Sequence, residues 1–294
     1  MTVKELKEDM PVCGIDTLEL ISDCESKADL SKLAFVHSGS KIGLADGKIK
    51  YVINPDKAND CRTITAYSEY QEVFDKMVDK MELTNPTISR VDFRFDNYNR
   101  DYDDYLKLNT SVLLMLSQEY KVKNRYSSAD LLTGQHLTAR IQNKYFEAEH
   151  YNKKQQSPNE GIESRLELRS KNLADAADER HELDLWFDRL DKAISRSQYN
   201  DLQDTINAYL LMQYEAERRS NPKIKTIDFV NRNSGRIFTK SQLTNLLDRI
   251  GGYTNIDQAA RRIINRYNLE TVSYSLIENY IEQLRQSADR FLIS

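Results

Sequence analysis

The feature that most restricts this chain is a pair of short runs in which apolar and charged residues alternate. Ser89 to Asp96 reads SRVDFRFD, and Ile162 to Arg169 reads IESRLELR. A period of two is that of an extended strand, whose successive side chains point to opposite faces. Val91, Phe93 and Phe95 then share one face, and Asp92, Arg94 and Asp96 the other. Likewise Glu163, Arg165, Glu167 and Arg169 lie opposite Ile162, Leu166 and Leu168. Residues 137–154 read as a third extended run, with Tyr145, Glu147, Glu149, Tyr151 and Lys153 on one side. Pro158 and Gly161 mark the loop after it. As neighbours in one sheet, the three runs would bring a tyrosine, several carboxylates and basic groups onto one surface.

The rest of the first half supplies the partners of that sheet. Short apolar pieces between Pro11 and Asn54 alternate with turn signals at Gly39, Gly43 and Gly47 and read as strands. Residues 67–83 carry Tyr70, Val73, Phe74, Met77, Val78 and Met81 at helical spacing, and Asn85-Pro86 ends that helix. Residues 103–119 form a second amphipathic helix, with Tyr105, Leu108, Val112, Leu113 and Leu116 inward. KVKNRYSS, from Lys121, is a further strand candidate. This order predicts an α+β fold over residues 1–172: an antiparallel sheet with helices on one face and a charged face left open.

After Ser170 the pattern turns helical, and residues 173–294 read as an all-helical region. Asn221-Pro222 breaks it. A helix over 239–249 with Thr239 as N-cap, a Gly251-Gly252 turn and a helix over 255–267 have the order of a helix-turn-helix, and equally that of a helical bundle. Residues 221–270 hold nine Lys/Arg and four Asp/Glu, within a chain whose net charge is −4. A locally basic helical segment suits phosphate contact or a solvated surface. The acidic total excludes a basic coat protein. No apolar run is long enough to span a membrane, and three unpaired-looking cysteines point to reduced thiols and a cytoplasmic location.

A phenol beside carboxylates has two readings. It can simply end a strand, or it can attack a phosphodiester. For attack, the phenol needs help, because its pKa of about 10 makes it a poor nucleophile at neutral pH. Hard carboxylate oxygens could hold Mg²⁺ or Mn²⁺ to polarise the phosphate.

YNKKQQ at 151–156 resembles the motif of the rolling-circle replication initiators of Gram-positive plasmids, the trans-acting replication initiation factor family, whose relatives include conjugative relaxases. YVINPDK at 51–57, ISRVDFRFD at 88–96 (with Arg90, Asp92 and Asp96) and SRLELRS at 164–170 (with Glu167) are similar to other family pieces, in the family's order. The resemblance covers about residues 45–172. It implies that Tyr151 nicks one strand of double-stranded origin DNA and holds a 5′-phosphotyrosyl link to the nicked single strand. It also implies Asp92, Glu167 and Asp96 as ligands of Mg²⁺ or Mn²⁺, a homodimer and a host helicase as partner. Lys153, on the Tyr151 face, is the candidate contact to the scissile phosphate. Lys154 and the α-helical Arg261, Arg262 and Arg266 are candidate DNA contacts. Arg94 and Arg169 hold either DNA or a neighbouring carboxylate.

The chain departs from the family where relatives carry acids at the positions of Val52 and Arg165, and where Glu149-His150 precedes the tyrosine. Two alternatives therefore stand beside the initiator: a relaxase with the same chemistry, and a non-catalytic DNA-binding regulator on the same fold.

Overall fold

The computed structural model describes residues 9–23, 29–42, 48–99, 102–124, 138–173, 178–237, 239–267 and 272–294. Its strands are β1 (Val12–Ser22), β2 (Val36–Ile42), β3 (Lys48–Ile53), β4 (Thr87–Asn97), β5 (Lys123–Asn124), β6 (Thr138–Gln142), β7 (Phe146–Tyr151) and β8 (Ser164–Lys171). They form one sheet in the order β2-β3-β1-β4-β8-β7-β6-β5, with each described pairing antiparallel. The two strictly alternating runs, β4 and β8, lie side by side at its centre.

The helices are α1 (Pro55–Ala58), α2 (Tyr67–Met81), α3 (Tyr102–Glu119), α4 (Lys153–Gln156), α5 (Glu179–Ala193), α6 (Arg196–Ser220), α7 (Thr226–Arg232), α8 (Lys240–Ile250), α9 (Ile256–Tyr267) and α10 (Tyr274–Ile293). Helix α3 lies against β6, β7 and β8. The residues expected to face inward, Tyr105, Leu108, Val112, Leu113 and Leu116, are buried, but so are Asn109, Ser111, Leu114 and Met115. The reason is that α5, α6 and α10 pack on the other side of α3. The fold is thus α+β, with a helical layer on the apolar face of an antiparallel sheet and further helices outside it.

That apolar face joins Val91, Phe93, Phe95, Leu166, Leu168 and Ala148 to the helices in one continuous core. Phe146 meets Trp186 of α5 edge-on at 5.2 Å, which ties the β6–β7 hairpin to the C-terminal half. Tyr280 of α10 donates to Asn109 Oδ1 at 2.9 Å, and Ser287 of α10 donates to the Pro11 carbonyl at 2.7 Å. Helices of residues 173–294 therefore contribute directly to the core beneath the sheet.

Residues 137–154 are not one extended run. Asn143 Oδ1 accepts from the amides of Tyr145 and Phe146, at 2.8 and 2.9 Å, and this side-chain turn folds the run into the β6–β7 hairpin. Tyr145 sits in that turn, exposed. At the other end Asn152 Oδ1 accepts from the Gln155 amide and starts α4, so Lys153 leaves the strand and its alternation. Of KVKNRYSS, Lys123–Asn124 pair with β6, and the residues from 125 on lie outside the described ones. The turn expected at Gly43 and Gly47, and Cys24, lie there too. Among the described residues no helix is long and apolar enough to cross a membrane.

Candidate active site

Antiparallel register puts directly opposed residues on the same face. Reading across β6, β7, β8 and β4, three rows form the charged face. The first, from β7 on, is Tyr151, Arg165, Asp96; the second is Arg140, Glu149, Glu167, Arg94; the third is Gln142, Glu147, Arg169, Asp92. Acid and base alternate across most of this lattice, and the side chains lie paired against one another. Asp92, Arg94, Asp96, Glu147, Arg165 and Glu167 are all buried.

Tyr151 stands at the end of β7, and its hydroxyl donates to Glu167 Oε1 at 2.5 Å. The phenol is 7% exposed. Burial and the neighbouring Glu167 charge push its pKa up, while Arg165 pulls it down without prevailing. Glu167 is pushed up to about 7, first by burial and then by the charge of Asp16. A carboxyl that titrates near neutrality and accepts the phenolic proton is placed to act as a general base.

Arg165 is directly opposite Tyr151. Its Nε and Nη2 hold both oxygens of Asp96, at 2.5 and 3.0 Å, and its Nη1 donates to Asp16 Oδ1 at 2.6 Å. Asp16 reaches it because β1 shifts register against β4 between Ile15 and Thr17. A bulge of this kind re-aims one side chain. The Asn54 amide holds the Asp16 carbonyl at 2.8 Å, and Asn54 Oδ1 caps α1 through the Lys57 amide. Asp56, in that helix, accepts from the Ile64 amide at 2.9 Å and pairs with Arg94. The Asn-Pro-Asp segment therefore braces one border of the site. Asp16 and Asp56 are not among the residues that the sequence singles out. The Asn-Pro helix start hinted at the second, and nothing in the pattern marked the bulge at the first.

The residues that the sequence singles out lie on the sheet face, on α4 and on α9. Tyr151, Glu167 and Asp96 gather around Arg165. Asp92 lies two rows away from Arg165, in the third row: Arg90 holds both its oxygens, at 2.7 and 2.5 Å, and Arg169 Nε donates to Oδ2 at 2.7 Å. Arg169 also pairs with Glu147. Arg94 is wholly buried against Asp56 and Asp96, so of the two roles expected for it the carboxylate role is realised and DNA contact is not. Lys153 pairs with Glu160 at 3.2 Å from α4, and its charge is felt at Asp16, at the edge of the site. Lys154 pairs with Glu163 at 2.7 Å. Arg261, Arg262 and Arg266 lie together on the exposed side of α9, far along the chain, with Ala260 and Ile263 buried behind them. His150 faces the helices, buried, with Thr110 Oγ1 at 3.5 Å from its ring. Burial drives its pKa down to about 3.

The donor set expected for Mg²⁺ or Mn²⁺ does not fit such an ion in this arrangement. Octahedral coordination needs several oxygens converging at about 2.0–2.1 Å. Both oxygens of Asp96 and both of Asp92 are held by guanidinium groups, and Glu167 Oε1 is taken by Tyr151. Among the described residues no group of three or more His, Cys, Asp or Glu is arranged to hold a metal.

Fold and site together define an α+β protein with a tyrosine–carboxylate pair set in an arginine-bridged sheet face. No protein-family profile matches the chain, and no curated protein does. Among solved structures, the chain is similar to a rolling circle replication initiator protein from Geobacillus stearothermophilus. The identity is 15%, the alignment covers 55% of this chain and 75% of that one, and the TM-score is 0.30.

Proposed function

We propose that the chain is a replication initiator that nicks one strand of a double-stranded origin through Tyr151. The observation that carries this reading is the hydrogen bond from the Tyr151 hydroxyl to Glu167, with the Arg165 cation across the strand pair. Glu167 takes the phenolic proton as Tyr151 Oη bonds to the scissile phosphorus. The bond from phosphorus to the 3′ oxygen breaks, that oxygen takes a proton from water, and the hydroxide left takes the proton that Glu167 gained. The products are a 5′-phosphotyrosyl link and a free 3′-hydroxyl, and reversal rejoins the strand. Lys153, at the edge of the site, contacts the phosphate. The exposed arginines of α9 hold duplex DNA, in a cytoplasmic homodimer that recruits a helicase.

Incubating the protein with a supercoiled plasmid bearing its cognate origin tests this. Wild type should yield open circles with protein attached to a 5′ end, and Tyr151→Phe should yield none. A second reading draws on the low exposure of Tyr151 and the arginine-paired carboxylates: a regulator that binds the same DNA without cutting it. Origin binding by the wild type with no open circles under any condition would favour it. Cleavage accompanied by transfer of the strand between cells, rather than by replication, would favour a relaxase.

A further inference from the structure

The guanidinium of Arg165 lies beside two of the three carboxylates expected to hold a metal ion, Asp96 and Glu167. It binds Asp96 with two hydrogen bonds and Asp16 with a third, and its Nη1 is 3.8 Å from Glu167 Oε1. That same Glu167 oxygen accepts the Tyr151 proton, so phenol, carboxylate and guanidinium form one chain of contacts. Guanidinium keeps its charge at any pH a protein tolerates, and its planar fork matches a carboxylate edge. At 4% exposure its charge is little screened by water. A divalent ion placed here would have to displace it and strip both oxygens of Asp96 from their partners.

We propose that Arg165 supplies the fixed positive charge for which a divalent cation was expected, so that cleavage through Tyr151 needs no bound metal. The inference rests on the nicking function proposed above. Arg165 acts as a positioning residue: it holds Asp96 and Asp16 in place and sets the field at the Tyr151–Glu167 pair, where negative charge builds as the phosphorane forms. The step balances with water as the only proton carrier. Oη bonds to phosphorus, the phenolic proton passes to Glu167, the 3′ oxygen leaves and takes a proton from water, and the hydroxide left takes back the proton from Glu167.

The test pairs two measurements on the full chain. Mn²⁺ is titrated while its free signal is followed by electron paramagnetic resonance, and origin nicking is timed in EDTA and in Mn²⁺. The wild type should leave the Mn²⁺ signal undiminished and nick at the same rate in both solutions. Arg165→Glu should lose nicking in EDTA by roughly 100-fold or more, take up one Mn²⁺ per chain, and recover cleavage when Mn²⁺ is present. A purely structural role for Arg165 would lower the rate equally in both solutions, and that result overturns the inference. So does a wild type that binds Mn²⁺ and cuts only with it, although nicking through Tyr151 would then stand. A wild type that binds the origin but cuts in neither solution removes the nicking function itself, and the inference with it. The wild-type arms do not depend on any variant folding.

Discussion

At the scale of single residues, the site depends on close packing of charged groups, which is less forgiving than a wet surface. Gly14 shows this. A Cβ there would lie 2.9 Å from Arg94 Nη2 and 2.8 Å from the Ile64 carbonyl, a backbone atom that cannot swing aside. Gly14→Ala should cost about 1–3 kcal/mol in urea unfolding, and an unchanged midpoint would show that the Arg94 packing is slack. His150 gives a pH signature. Its folded pKa of about 3 lies below the ordinary 6.5, so between those values the unfolded chain binds the extra proton. The stability it allows is present above pH 6.5 and is lost as the pH falls toward 3. The melting temperature of the wild type should drop across that window, and His150→Leu should flatten the drop. Glu167 gives a signature in activity. Because its carboxyl titrates near 7, nicking should rise through neutral pH, and Glu167→Gln should abolish the rise along with most of the rate. The meeting of Tyr151 with Glu167 was legible, because both sit on strands whose alternation names their face. The partners of the arginines were not. Whether Arg94 or Arg165 turns to DNA or to a carboxylate depends on cross-strand register and on the β1 bulge that delivers Asp16, and neither is written in local pattern.

At the scale of elements, β4, β8, α2 and α8 were legible because each carries a strong period between clear stops. Met81 precedes Asn85-Pro86, and Thr239 Oγ1 accepts from the Gln242 amide as an N-cap should. The hairpin at Asn143 was not legible. The turn lacks glycine and proline, and it forms through one asparagine oxygen bonded to two amides. Lys153 was misplaced for a related reason, since Asn152 caps a helix that strand alternation does not foresee. Helix α9 makes a separate prediction. Arg262 lies on its exposed side beside Arg261, which pairs with Asp257 at 2.9 Å. If this face holds phosphates, Arg262→Ala should weaken origin binding and reduce the slope of log affinity against log salt by about one. The same loss with an unchanged slope would mean the contact is not to phosphate.

At the scale of the whole molecule, the expected boundary near residue 172 separates two kinds of secondary structure that share a core. Tyr280 and Ser287 of α10 reach Asn109 and Pro11, and the Ser68 amide donates to the Ser294 carbonyl. Removing 274–294 should therefore expose the underside of the sheet and abolish cooperative unfolding of what remains. A truncated chain that still melts in one sharp transition would mean that the first half is an independent unit. The layered arrangement has a functional consequence as well. With the long helices packed on the apolar face, the charged lattice, the phenol and Arg165 are carried on the other side of one sheet, bordered by the short helices α1 and α4.

The measurement that tests the central claim most directly is mass spectrometry of the covalent adduct trapped on a suicide oligonucleotide carrying the origin. The nucleotide should be attached to Tyr151 through a 5′ phosphate. Attachment at another residue, Tyr145 in the exposed turn first among them, or no adduct from protein that binds the oligonucleotide, would contradict it.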